Sequence, residues 1–293
     1  MHKYLIFTIL LAMILISHGC LDQKQKQVQS QKRIISLSPH ITEIIYALGS
    51  EDELVAVSDF CRFPPAAGKK EKIGGLINPN IEKIVSLRPT LLIGVPSHTK
   101  LNDELAKFQL SVIMLPNENI SDVLATIDTI GTLLDRKDNA ALLIKNIKDS
   151  LSAIKTENGM QRPRATLVIG RERGTLKNIT AVGEDTFINE VWEIAGGINI
   201  FSDLPARYSA VNLETILTRN PEVIIEFDID GVPDIRKTND AKIWKQLDHV
   251  SATANGKVFT VTGSHTLIPG PRLVLLARQF RTIINRISLD TGK

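Results

Sequence analysis

The side chains able to bind a metal, attack a carbonyl or grip an anion are sparse beyond residue 32. Four histidines stand there, His40, His98, His249 and His265, with a single cysteine, Cys61. Local zinc sites are built on HxxxH or CxxC pairs, and neither spacing occurs; His40 and Glu43 form an isolated HxxE pair without a third donor nearby. No metal site is expected from local spacing. His40, His98 and His265 are left two fates, convergence from separate loops onto one ion or plain solvation as loop residues. No GxSxG nucleophile elbow, no GxxxxGK[ST] phosphate loop and no Cys/His pair in a recognisable context is present. The remaining chemistry is that of grip rather than turnover. Arg62, Arg171, Arg173 and Arg207 can meet carboxylates or phosphates through two parallel N–H bonds, and Phe60, Phe63 and Tyr208 offer flat apolar walls. Each is either a ligand contact or an ordinary loop residue. Cys61 reads as a small buried residue rather than an axial thiolate, and Trp192, with Ile188, Val191 and Ala195 at helical spacing, as core.

The elements that must position these residues alternate. Strands are predicted at Arg33–Leu37, Leu54–Val57, Leu91–Val95 and Val112–Leu115, and helices at Ile41–Leu48, Ile81–Leu87 and Leu101–Phe108. Such alternation implies a parallel sheet covered on both faces. From Ile120 the strand signals stop. Ile120–Leu134 is one amphipathic helix and Asp138–Asn158 a second, with Leu143, Ile144, Ile147, Leu151 and Ile154 as its apolar stripe. Strands resume at Thr166–Gly170, Val223–Phe227 and Val258–Val261, with helical stretches at Thr186–Ala195 and around Trp244–Leu247, and a last helix opening at the Pro269–Arg272 turn. The expected fold class is α/β: two lobes, each a small parallel sheet flanked by helices, joined by one long helix. The expected division is lobe 33–137, connecting helix 138–158 and lobe 159–293. In open α/β sheets ligands gather beyond the carboxyl ends of strands. That rule nominates Pro39, His40, Phe60, Arg62, Phe63 and His98 from the first lobe, and Arg171, Arg173, Arg207 and Tyr208 from the second.

The chain opens with Lys3 and an apolar run, Tyr4–Ile16, too short for a stable bilayer span but suited to a secretory leader over 1–19. Gly19 before Cys20 is similar to a lipoprotein cleavage site, which makes Cys20 the expected lipidated residue; simple cleavage and an uncleaved anchor are the alternatives. Residues 20–32, Gln/Lys-rich, then form a tether holding the protein to the outer face of the cytoplasmic membrane. The whole sequence, 293 residues with 35 Lys+Arg against 32 Asp+Glu and 43% apolar, is neither disordered nor a nucleic-acid clamp in composition, and its basic residues form no stripe.

An internal repeat is the most specific feature. Asn80-Ile81-Glu82-x-Ile84, Pro89 and Leu91-Leu92-Ile93 recur as Asn212-Leu213-Glu214-x-Ile216, Pro221 and Val223-Ile224-Ile225. Each copy reads as an Asn N-cap, a short helix, a proline that ends it, and a buried strand. Glu82 and Glu214 occupy the same first-turn position, facing solvent.

With these residues in place, the chain resembles the periplasmic binding proteins that serve ABC importers for vitamin B12, haem and ferric siderophores. The resemblance covers roughly Arg33 to Arg286. It rests on Ser36-Leu37-Ser38-Pro39 with Thr42-Glu43-Ile44 and Ala47-Leu48-Gly49, Asp59-Phe60-Cys61-Arg62-Phe63-Pro64, Gly74-Gly75, the first repeat, Gly196-Gly197-Ile198-Asn199-Ile200-Phe201, and Pro269-Gly270-Pro271-Arg272. The Phe-Cys-x-Phe-Pro loop and the Pro-Gly-Pro-Arg turn are most similar to the B12-binding branch. The resemblance implies two lobes around a cleft, a cobalamin ligand (with ferric siderophore or haem as the alternative) and no cofactor or catalysis. It also implies docking of a monomer onto an ABC permease and its ATPase, with Glu82 and Glu214 as the docking glutamates, and small lobe movement on binding.

Overall fold

The computed structural model describes residues 32–155, 162–228 and 241–291. Cys20, the leader over 1–19, all of the tether except Lys32, and residues 156–158 of the expected connector lie outside the described residues.

The first lobe begins with β1 (Ile34–Ser36), fully buried, which leads into helix α1 (Pro39–Ala47). Then follow β2 (Leu54–Val57), β3 (Glu71–Lys72), α2 (Ile81–Ser86), β4 (Leu91–Gly94), α3 (Thr99–Ala106) and β5 (Val112–Met114). All five strands run parallel in the order β3-β2-β1-β4-β5. Two helices come next, α4 (Ile120–Leu133) and α5 (Lys137–Ile154).

The second lobe carries β6 (Arg164–Gly170), β7 (Ile179–Val182), α6 (Phe187–Ala195), β8 (Ile198–Asn199), β9 (Tyr208–Val211), α7 (Leu213–Arg219) and β10 (Val223–Asp228). It closes with α8 (Ser251–Ala254), β11 (Val258–Thr262) and α9 (Leu273–Thr291). Its sheet, ordered β11-β10-β6-β7-β9, is mixed rather than parallel throughout: β10, β11 and β8 run parallel to β6, but β7 is antiparallel to β6 and β9 to β7. The sequence reading missed β7, β8 and β9. β8 has only two residues and β9 alternates exposed with half-buried side chains, so neither carries the apolar run that marks a central strand.

The 18-residue α5 is about 27 Å long and packs against α4 on one side and α6 and α9 on the other. Of its expected stripe, Ile147 and Leu151 are buried, and Leu143, Ile144 and Ile154 lie partly buried against the same core. That core is continuous between the lobes, running from Ile34, Ile44 and Ile127 to Trp192, Phe227 and Phe280. Trp192 meets Phe280 edge-on, with ring centroids 5.2 Å apart. The outer face of each sheet has its own cluster, around Leu37, Ile84 and Leu105 in the first lobe and around Phe201, Ile216 and Trp244 in the second.

The repeat folds as two equivalent units. Asn80 Oδ1 accepts the Lys83 N–H at 2.9 Å, and Asn212 Oδ1 accepts the Thr215 N–H at 2.8 Å. Ile84 and Ile216 are both fully buried, and Glu82 and Glu214 both exposed. The equivalence extends to a position the sequence did not flag: Arg88 and Asn220, each before the buried proline, both adopt the left-handed backbone at φ 46° and 40°.

Candidate functional site

α1 starts earlier than its periodicity indicated, with Ser38 as the extended N-cap and Pro39 in the first turn. Pro39 and His40 therefore belong to a helix, not to a loop over the sheet. His40 is 2% exposed; its Nδ1 lies 2.9 Å from Ser38 Oγ and its Nε2 is buried without a partner. Burial, with nearby His98 adding to it, pushes the His40 pKa down to about 3.

His98 is likewise buried. Its Nδ1 accepts the Val95 N–H at 3.0 Å, which leaves Nε2–H to donate to Leu76 O at 3.0 Å. The ring is a strut that fixes the Gly74–Pro79 loop, and burial lowers its pKa. Arg171 does not reach solvent either. Its Nε donates to Glu226 Oε1 at 2.6 Å, and Glu226 is also approached by Trp244 Nε1 at 3.3 Å. A further N–H donates to Thr175 O at 2.9 Å, so this buried pair shapes the loop after β6.

Phe60, Phe63 and Tyr208 remain 37%, 41% and 39% exposed, too open for core aromatics and too apolar for idle surface. Phe60 and Phe63 follow the carboxyl end of β2. Behind them Cys61 is buried between Thr42 Oγ1 and Ser58 Oγ, each 3.1 Å from its sulfur, and burial pushes its thiol pKa up. Phe60 is also the nearest side chain to Gly75, at the start of a loop carrying Ile77, which is 89% exposed. Sequence reasoning overlooked Ile77; the available signal was an apolar Leu76-Ile77 pair inside a Gly/Pro/Asn loop where no element could bury it. Arg62 and Arg173 are exposed on loops of opposite lobes.

Beyond the shared core, polar contacts among the described residues join the lobes, and two places of contact bear on the site. At one, Phe187 N–H donates to Glu118 O at 2.7 Å, Ile120 N–H to Glu190 Oε2 at 2.6 Å, and Asn119 Nδ2 to Asp185 Oδ1 at 2.8 Å. A cavity of about 840 Å³ opens there, lined by Glu118, Glu184, Asp185, Asp203, Arg207 and Tyr208 among others. Arg207, nominated to hold a ligand anion, pairs with Asp185 at 2.5 Å while staying about half exposed, and Glu118 lies 3.8 Å away. The Asn119 amide and then Arg207 keep the Asp185 carboxyl below its usual range, while burial and the Glu118 charge push the Tyr208 phenol up to about 12.

At the other, the Pro269–Arg272 turn sits on the first turns of α1. Arg272 grips Glu43 with Nε–Oε2 at 2.8 Å and Nη2–Oε1 at 2.5 Å. Among the described residues no group of three metal-binding side chains converges, and His40 and His98 take neither of their two fates: both are buried and hydrogen-bond within their own lobe.

The profile of the family described as periplasmic binding protein matches residues 34–264. The chain belongs to that family. It is a family of solute-binding proteins rather than enzymes. The vitamin B12-binding protein of Pectobacterium carotovorum is 29% identical over 262 residues, 88% of this chain and 90% of that one. Among solved structures, the periplasmic vitamin B12 binding protein of Vibrio cholerae superposes with a TM-score of 0.71 at 26% identity, over 87% of this chain and 96% of that chain. A possible iron-binding, periplasmic solute-binding protein of Staphylococcus epidermidis does so with a TM-score of 0.73 at 25% identity, over 87% and 99%. The family's α/β fold is the one described above, with paired sheets and a junction between them.

Proposed function

We propose that this protein is an extracytoplasmic solute-binding protein that captures cobalamin between its lobes and delivers it to an ABC importer. The similarity to vitamin B12-binding proteins over nearly nine-tenths of the chain carries this reading. The half-open rings of Phe60, Phe63 and Tyr208 suit a broad, flat, amide-fringed chelate. The contact set is drawn from these three with Arg62, Arg173 and Arg207; His40, His98 and Arg171, buried and hydrogen-bonded to their own neighbours, are left out of it, and no cofactor takes part. The likeness to the S. epidermidis protein favours a second reading, ferric siderophore or haem as the ligand. Gel filtration with cyanocobalamin, haemin or a ferric hydroxamate, followed by absorbance, separates the two. Co-elution of cyanocobalamin at micromolar concentration is expected; retention of haemin or the hydroxamate alone transfers the assignment, and retention of none refutes chelate capture.

Delivery uses Glu82 and Glu214, exposed on equivalent helices of the two lobes. A permease with its partner ATPase receives a single copy of the protein, and the energy comes from that ATPase. Exposed ion pairs contribute about 0.2–1 kcal/mol each, so reversing both glutamates to lysine should weaken permease association roughly two- to thirty-fold or more, leaving chelate affinity unchanged. Cys20 is the lipidated residue that keeps the chain, after loss of residues 1–19, on the outer face of the cytoplasmic membrane. Cys20→Ser should release it from membranes, and undiminished membrane retention would contradict the anchor.

A further inference from the structure

We infer that Arg272 is a positioning residue for the ligand platform: clamped by Glu43, it sets the plane of the Phe63 ring across the lobe boundary. The inference rests on the capture function proposed above and adds a residue to it. Phe63 is contributed by the first lobe, on the loop after β2. Two residues earlier Cys61 is buried, and Lys72 Nζ donates to Cys61 O at 2.8 Å, so the loop's base is fixed. The ring itself finds its support in the second lobe, where the Arg272 guanidinium carbon lies 3.9 Å from the ring centroid, in van der Waals contact with one face. With 41% of Phe63 still exposed, the rest of the ring remains open to solvent.

The guanidinium has little freedom to choose another place. Glu43 receives two of its N–H groups in bidentate fashion, and the two side chains are only 14% and 3% exposed. Ser264 Oγ, from the same lobe as Arg272, stands 3.3 Å from both Nη atoms. The turn bearing Arg272 is itself seated, since a Cβ at Gly270 would come 3.3 Å from His40 Cβ. A flat ligand stacking on Phe63 is thus held by a ring whose angle is dictated by the opposite lobe. Planarity matters here: only a guanidinium can lie flat on the ring while offering two parallel N–H bonds to Glu43.

The test uses the full chain and cyanocobalamin as probe. R272M and R272K should each weaken binding about three- to thirty-fold. In an F63A background the same change at 272 should cost less than about twofold, because the ring it positions is gone. An equal loss in both backgrounds would overturn the inference in favour of direct contact or general damage, as would wild-type affinity in R272M. A ligand-free readout separates this from failure of the capture reading. In F63W the new indole reports beside two fully buried native tryptophans, Trp192 and Trp244. Adding R272M should at least double its acrylamide quenching; unchanged quenching refutes the positioning role even if no chelate binds.

Discussion

Replacing His40 with glutamine should flatten the acid side of the stability profile. The neutral His40 ring fills a closed site in which Ser38 takes Nδ1 and nothing takes Nε2, with His98, Glu43 and Arg272 as the ionisable neighbours on the surrounding elements. A charged imidazolium there has no counterpart to its second N–H and loses its water. Its folded-state pKa is therefore depressed to about 3 from 6.5. A histidine depressed in the fold contributes stability that is present above the unfolded pKa and lost as pH falls toward the folded one, since the unfolded chain binds the proton first. Linkage then gives a loss of about 2 kcal/mol at pH 5 and about 3 kcal/mol at pH 4, from one residue. For a chain of this size that is roughly 6–12 °C in Tm at pH 4. Urea unfolding followed by circular dichroism from pH 7 to pH 4, on wild type and H40Q, isolates the effect from titrating carboxylates common to both. H40Q should be less stable at pH 7, because it leaves a poorly matched amide in the core, and should lose about 3 kcal/mol less on acidification. Parallel profiles for the two proteins would refute the argument.

Two further outcomes follow from packing and capping. Glu43→Met removes the partner of a nearly buried guanidinium and should cost about 3–5 kcal/mol by urea denaturation, whereas E43M/R272M should recover much of that loss; a double mutant as unstable as the sum of the singles would contradict the pairing. Asn80→Ala and Asn212→Ala each remove an observed cap and should each cost about 1 kcal/mol, additively, since they sit in separate lobes; a clearly non-additive double mutant would show the two repeats to be coupled.

The repeat was legible because its punctuation is local: an Asn, a Glu, a proline and an apolar run at one offset specify cap, helix, stop and strand without reference to the rest of the fold. The stripe on α5 was legible for the same reason. The inner strand β7 and the edge strand β9 were not, because each has only four residues, β7 interrupted by Thr180 and β9 alternating exposed with half-buried side chains. Among the nominated residues, position at a strand's carboxyl end was readable, but direction was not. Phe60, Phe63 and Tyr208 stand half-open, while His40, His98 and Arg171 turned inward onto Ser38, Val95 and Glu226. Lys32, assigned to the tether, is instead pinned to Leu133 O and Asp135.

By itself the sequence determined the α/β alternation, the long helix, the duplicated capped units and the family resemblance, all consequences of periodicity and short-range hydrogen bonding. Tertiary structure alone decided which charges were already satisfied. Arg207 closes on Asp185, and Arg272 reaches Glu43, 229 residues away in sequence. Spacing says nothing about contacts at that range, because they depend on how two sheets and the helices between them settle around one shared core.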